Sequence, residues 1–346
     1  MKKIISILFI LILIFAGYMA WLLFGSGTSF TEKSKYFYIY PNQANKTAIL
    51  DTLRKKNFIK HPKVFEWLAD RMKYWNYIKP GKYEIKKEAS MFSIIRMLRN
   101  GTQAPVNLVI TKIRTKEDLA HLVGNHFECD SLHMIRFLNN GDSLKAYSLD
   151  TQTVMTAVLP NTYTYFWNTN ASKIFQKLYD DSQEFWTKER KQLAADHNLT
   201  PEKAYILASI IEEETNAETD KPNIASVYLN RVEKNMPLQA DPTIKFAMKN
   251  FRLKRIYEKY LFIESPYNTY RNKGLPPGPI CTPSRETLDA VLNSPKTEYL
   301  YFVANSDLSG THVFTTNYTD HMKYAKEYQQ VLNKLDSVNK AKQSLQ

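Results

Sequence analysis

Twenty-one consecutive residues without a charge, Ile4 to Phe24, divide this chain into two unequal parts. A helix of about 20 apolar residues matches the hydrocarbon thickness of a bilayer, so the run predicts a transmembrane helix over 4–24. Uncharged residues continue to Thr31. Lys2 and Lys3 precede the run and few cations directly follow it, which predicts a cytoplasmic N-terminus (1–3) with the bulk of the chain beyond the membrane. A cleaved signal peptide would carry an apolar region of only about 7–15 residues ending in small residues. Here bulky Trp21-Leu22-Leu23-Phe24 follow Ala20, so an uncleaved anchor is expected. No cysteine stands where a lipoprotein would need one.

The chain has 346 residues, 44% of them hydrophobic, enough for two or three folded units. Its net charge of +13 reads as spread out, with small clusters at Arg54-Lys55-Lys56 and Lys86-Lys87 and no continuous basic stripe on any helix. Nucleic acid is therefore excluded as a partner, and anionic lipid heads or an acidic polymer fit the charge better. Cys129 and Cys281 lack metal-ligand spacing and the seven histidines form no zinc pattern, so neither metal nor cofactor is expected.

Residues 25–35 are small and polar and read as a linker. Tyr36–Tyr40 reads as a strand, two helices follow through Met72, and Lys79–Ile85 turns into a second strand. Ser90 caps a helix that Asn100-Gly101 ends, and Val106–Ile110 is a third strand. This β-α-α-β-α-β order predicts a small α+β domain over 36–110. Residues 111–165 read as a connecting helical region, and 166–340 as the main domain. In the latter a long helix is expected from Ala171 to about Ala195, a helix over Ile224–Val232, a hairpin of Glu298–Ala304 with Thr311–Thr315, and a terminal helix from Tyr318. Residues 341–346 are expected to fray.

Within the main domain, Thr200-Pro201 opens a helix in the favoured N-cap and first-turn arrangement, and Glu212-Glu213-Glu214 ends it. At about 100° per residue, Ala204, Leu207, Ala208 and Ile211 share one face. Glu214 falls on that apolar face. Glu212 and Glu213 point away from it, toward solvent or a polar neighbour. A carboxyl among aliphatic groups loses hydration and its pKa rises, which is what a general acid needs near neutrality. An acidic helix end without chemistry has the same spacing. Downstream, the Pro/Gly-dense stretch Gly274–Ile280 and the Tyr- and Asn-bearing loop before it cannot form regular structure. Such a loop offers the ring faces and polar tips that a sugar groove uses.

Six stretches, in order and spacing, carry a specific resemblance. They are Ala208–Thr215, Ala225–Arg231, Met236–Thr243, Tyr267–Tyr270, Gly274–Ile280 and Tyr301–Ala304. Together with the N-terminal span, Pro80-Gly81-x-Tyr83 and Leu98-x-x-Gly101, they make the chain resemble the YceG-like (MltG) endolytic murein transglycosylases over nearly its whole length. The resemblance implies an α+β protein with a transmembrane helix, a LysM-like domain at 36–110 and a mixed helical/β catalytic domain carrying the glutamate-bearing helix. It also implies residence in the inner (cytoplasmic) membrane, single-pass, with the catalytic domain extracytoplasmic. The family's catalytic glutamate is the one followed directly by Thr, which is Glu214 here. Glu213 stands where Lys or Arg is common, Ala240 replaces a frequent Thr and Cys281 a frequent Ala. The additional carboxylate at 213 is expected to raise the local pKa further.

The implied reaction cuts the MurNAc-GlcNAc β-1,4 bond of peptidoglycan without water. The muramoyl C6 hydroxyl attacks its own C1 and leaves a 1,6-anhydro ring, with Glu214 serving first as acid and then as base. Asn230, Gln239, Asp241, Tyr267 and Asn268 are the candidates for holding sugar hydroxyls and acetamides, or for satisfying buried backbone groups in the irregular loops. The implied partners are glycan strands, the membrane and cell-wall synthases. Two other readings stand beside this one: a non-catalytic peptidoglycan-binding scaffold, and a true muramidase with Asp241 or Glu212 as a second carboxylate.

Overall fold

The computed structural model describes residues 2–253 and 255–343. It is a mixed α+β protein that divides into two compact units. One comprises residues 1–108, 123–130 and 164–171, and the other comprises 109–122, 131–163 and 172–346. The expected connecting region 111–165 is thus shared between the two.

The first unit begins with α1 (Lys2–Phe24), whose stretch Lys3–Phe24 is long and apolar enough to cross a membrane. There follow β1 (Ser34–Ile39), α2 (Lys46–Lys55), α3 (Pro62–Arg71), β2 (Gly81–Lys86), α4 (Met91–Asn100) and β3 (Pro105–Ile110). β1 and β2 are antiparallel, with Phe37 opposite Tyr83 and Tyr38 opposite Lys82. Alternation puts Phe37, Ile39, Tyr83 and Ile85 in the core, where Leu53, Phe65, Ile95 and Leu98 of the helices meet them. Residues 25–35, expected as a linker, are part of this unit: Ser34 and Lys35 open β1, and 25–33 are hydrogen-bonded into it. Gly27 N–H donates to Ala89 O at 3.0 Å, Ser29 N–H to Phe58 O at 3.2 Å, and Thr28 forms a β-bridge with Ile59. Their backbone groups take partners here that a free linker would leave to water.

The chain continues through α5 (Lys116–His126), α6 (Ser131–Leu138), α7 (Gly141–Lys145), β4 (Asn161–Phe166), α8 (Ala171–Phe185), α9 (Lys188–Asp196), α10 (Pro201–Glu214), α11 (Lys221–Glu233), α12 (Asp241–Ala247), α13 (Arg285–Leu292), β5 (Tyr301–Ala304), β6 (His312–Thr315) and α14 (Tyr318–Gln343). β3 pairs with β4, and β5 with β6 in an antiparallel hairpin. The single helix expected over 171–195 is two. Thr187 is the cause: its Oγ1 accepts the Arg190 N–H at 3.3 Å and starts a new helix, while Trp186 is buried at the break. α13, unexpected from the sequence, is capped by Ser284, whose Oγ accepts the Thr287 N–H at 3.1 Å. Of the tail expected to fray, α14 is described through Gln343 and the last three residues lie outside the described residues.

α10 lies at the centre of the second unit. All eight residues from Ala204 to Ile211 are buried, so the helix is enclosed on every side instead of along one face. Phe185, Trp186, Tyr228, Ile280, Leu288 and Val291 close around it.

Gly101 ends α4 with φ of +74°, the left-handed cap that an L side chain adopts at a cost. Gly101→Ala is expected to destabilise the chain by about 1 kcal/mol, seen as an earlier denaturant midpoint in equilibrium unfolding.

Candidate active site

Three carboxylates sit on the last turn of α10, at the pole of the helix dipole where negative charge is disfavoured. The helix ends there because Thr215 turns to an extended conformation and its Oγ1 accepts the Ala217 N–H at 3.0 Å. The surroundings separate the three. Glu213 is paired with Lys112 at 3.1 Å and Arg114 at 2.9 Å. Glu212 Oε2 accepts from the hydroxyls of Thr287 and Ser284 and lies 3.4 Å from the ammonium of Lys221, which is only 3% exposed. Burial pushes the Glu212 pKa up, but the Thr287 hydroxyl, the Lys221 charge and Ser284 together hold it below the usual glutamate range. Both side chains therefore face polar partners, and neither is surrendered to solvent.

Among the described residues Glu214 forms no ion pair. Its Oε1 accepts one hydrogen bond, 2.5 Å from the hydroxyl of Tyr228, a residue of α11 that is itself 1% exposed. Among the described residues Oε2 takes no hydrogen bond. Burial lifts the Glu214 pKa to about 7. The Tyr228 hydrogen bond pulls it down, the negative charge of Asp241 pushes it up, and the charges of Lys245 and Arg231 pull it down. The carboxylate that raises the pKa is Asp241, across the site, and not the neighbouring Glu213. Tyr228 is held by an edge contact with Phe302, ring centroids 5.8 Å apart.

Asp241 opens α12 and is exposed, with Oδ1 accepting the Tyr270 hydroxyl at 2.6 Å. Glu214, Tyr228, Tyr270, Asp241, Arg231 and Lys245 thus form one electrostatic group. The other sequence candidates occupy different positions. Asn230 donates its amide to Thr297 O at 2.8 Å and Tyr299 O at 2.9 Å, which holds the entry to β5. Asn268 is fully buried. It donates to Leu261 O at 2.9 Å and Ile263 O at 2.8 Å, and its Oδ1 accepts the Tyr270 N–H. Tyr267 packs on Phe246, ring centroids 4.7 Å apart. Its hydroxyl lies so near Gly278 that a Cβ there would come within 2.8 Å of it. Gln239 is exposed, with φ of +54° and its N–H on Thr269 O at 3.1 Å.

The sequence alone does not single out Tyr228, Tyr270, Arg231 and Lys245. Tyr228 and Tyr270 lie inside the motifs quoted, but nothing in their spacing distinguishes a core tyrosine from one whose hydroxyl reaches a carboxylate. Arg231 is 8% exposed and gives Nε to Leu300 O at 2.7 Å and Nη1 to Leu238 O at 2.8 Å. Cavities of 390 and 530 Å³ lie toward the opposite end of α10, beside Asn198 and Leu199, and Glu214 lines neither. Among the described residues no cluster of His, Cys, Asp and Glu could hold a metal ion.

The profile of the YceG-like family matches residues 37–327. The chain belongs to the YceG-like family. It is 29% identical over 304 residues to an endolytic murein transglycosylase of Bacillus subtilis, with 83% of each chain covered. It is 28% identical over 326 residues to one of Streptococcus pneumoniae, covering 83% of this chain but 57% of that longer one. Among solved structures, a 2.6 Å crystal structure of a YceG-like protein from Listeria monocytogenes superposes with a TM-score of 0.56 at 27% identity, over 85% of this chain and 99% of that one. The YceG-like match spans both compact units.

Two outcomes follow from this geometry. Asn268→Ala removes two donors and one acceptor from a buried loop. It is expected to cost about 2–3 kcal/mol of stability, read by equilibrium unfolding, a loss that a solvent-facing sugar contact would not produce. Glu214 has a pKa near 7 when folded and an ordinary value of 4.5 when unfolded. The folded chain therefore holds the extra proton between those values, and the stability this confers is full below 4.5 and lost as pH rises through 7. Glu214→Gln removes the dependence. Relative to wild type, the variant should gain up to ~3 kcal/mol between pH 4.5 and pH 8, measured by unfolding at both values.

Proposed function

We propose that this chain is a membrane-anchored endolytic lytic transglycosylase. It cleaves the MurNAc-GlcNAc β-1,4 bond inside peptidoglycan strands to leave 1,6-anhydroMurNAc ends. The observation that carries the reading is Glu214: one carboxyl with a pKa lifted to about 7, held on one oxygen by Tyr228 and preceded by two glutamates occupied by other partners. Its YceG-like relatives, named endolytic murein transglycosylases, supply the substrate and reaction class.

In the reaction, protonated Glu214 gives its proton to the glycosidic oxygen as the bond to C1 breaks. The carboxylate then takes the proton of the muramoyl C6 hydroxyl as that oxygen bonds to C1. The residue returns to its starting state and no water is consumed. The intramolecular nucleophile replaces the second carboxylate of ordinary glycosidases, at high effective molarity. Positive charge developing at C1 meets the substrate's own acetamido group, and Asp241, held by Tyr270, adds a negative charge on the same side of the protein. Residues 36–110 serve as a LysM-like unit and 166–340 as the catalytic domain. The chain sits in the cytoplasmic membrane with the catalytic domain outside, where cutting nascent glycan sets strand length beside the synthases that make it.

Asp241 also supports a muramidase as the second reading, because its charge bears on Glu214. Mass spectrometry of digested glycan separates the two: anhydro ends are lighter by one water than hydrolysed ones. Glu214→Gln should lower turnover by about 10³-fold or more. Retained cell-wall function in that variant would favour a scaffold. With Glu214 as the acid, the rate should fall above about pH 7. Tyr228→Phe removes a hydrogen bond that favours the carboxylate, so it should move that alkaline limb to higher pH.

A further inference from the structure

The positive charge of this chain is concentrated where it leaves the span. Residues 25–108 hold 16 Lys and Arg against six Asp and Glu, a net charge of +10, whereas residues 109–346 hold 29 against 28. The even spread expected from the sequence is found only when the chain is averaged as a whole.

The same region has no free joint. The Gly25 N–H still closes on Trp21 O at 2.8 Å, and Gly27 O accepts the Lys60 N–H at 2.8 Å. The Glu88 N–H donates to Thr28 Oγ1 at 2.9 Å. Leu22 is only 9% exposed, and Phe24 packs on Phe92 with ring centroids 5.5 Å apart. A Cβ at Gly27 would lie 3.0 to 3.1 Å from Met91 atoms, so the chain passes α4 with no room to swing. With a rise of about 1.5 Å per residue, the contact between Phe24 and Phe92 lies at the level where the apolar span ends. Around it are exposed cations. Lys60 places Nζ 3.3 Å from Ser26 Oγ, Lys63 is in the first turn of α3, Lys87 adjoins the stitched Glu88, and Arg96 follows Phe92 by one turn of α4.

We propose that this face of the first unit is a docking surface for anionic phospholipid headgroups, which seats the unit flush on the bilayer. The proposal rests on the reading of α1 as a membrane span. The span fixes the face within a residue or two of the hydrocarbon edge, inside the ~8–10 Å over which headgroup charge acts at ordinary salt. Phe92 beside Phe24, ringed by lysine and arginine, has the aromatic and cationic character of a membrane interface. A soluble acidic polymer would need the cations but not their continuity with the span.

The test uses the full chain in nanodiscs. Ser93→Cys, exposed beside Phe92, carries a fluorophore, while Cys129 and Cys281 are both buried. Quenching by a headgroup-level lipid quencher is expected with about 30% phosphatidylglycerol in low salt. It should fall about threefold or more in phosphatidylcholine alone, in ~0.5 M salt, and in Lys60→Glu/Arg96→Glu. An unchanged thermal unfolding midpoint shows that the double variant is folded. Equal quenching in all these conditions overturns the proposal. So does a label that no lipid quenches but a soluble polyanionic glycan shields, which assigns the face to an acidic polymer. A chain that does not enter the nanodisc removes the span, and the proposal with it. That outcome is distinct from an inserted chain whose label stays unquenched.

Discussion

The hydrogen bond from Tyr228 to Glu214 depends on what happens to two other carboxylates. Three glutamates in succession at the negative pole of a buried helix repel one another and the helix dipole. Lys112 and Arg114 hold Glu213, and the buried Lys221 with Thr287 and Ser284 holds Glu212. Burying an ammonium is unfavourable unless it is paired and hydrogen-bonded, and Lys221 is both, through Glu212, Glu218 and Thr287. These partners hold the last turn of α10 through two adjacent residues. The third glutamate forms no ion pair among the described residues, and burial is the largest influence on its proton.

The loop opposite is fixed by a different device. Residues 237–240 and 261–280 have no regular ladder, so side chains satisfy the backbone in its place. Arg231 reaches Leu238 O and Leu300 O, Asn268 reaches Leu261 O and Ile263 O, and Thr269 Oγ1 accepts the Ala240 N–H at 3.0 Å and meets Thr243 Oγ1 at 2.8 Å. This network leads directly to Asp241 and Tyr270. The polar residues of the loop thus act mainly by holding the two that face Glu214.

Local signals were legible where physics is local. Thr200-Pro201, Ser90 and Asn100-Gly101 mark helix ends that the backbone realises, and the aromatic and β-branched run from Tyr36 marks a strand, β1, of which only Phe37 and Ile39 are buried. The sequence does not reveal Thr187 as a helix start, because an N-cap inside a strongly helical stretch is visible only through its hydrogen bond. A single apolar face does not set Glu214 apart, because α10 is buried on every side from Ala204 to Ile211 and Glu212 and Glu213 are no more solvent-facing than Glu214. What distinguishes the three is which cations and hydroxyls arrive from residues 112–114, 221, 228 and 284–287. Those partners are distant in sequence, and no periodicity encodes them.

A single carboxyl that serves both proton transfers meets opposed demands. As an acid it must keep its proton until the glycosidic oxygen approaches, and as a base it must be able to take one back. A pKa near neutrality meets both, whereas a much higher one would leave a weak acid and a much lower one a weak base. Burial first and the charge of Asp241 second lift the carboxyl, and the Tyr228 hydroxyl, Lys245 and Arg231 return it partway. Tyr228 is suited to this because its own phenol is raised far above neutrality by burial and by Glu214, so it donates and does not ionise. In the proposed reaction the tyrosine is therefore a fixed dipole that balances the dry wall behind Glu214. Asp241 lacks that enclosure: it is exposed and tied to Tyr270, a placement suited to stabilising charge at a sugar carbon more than to exchanging a proton with it.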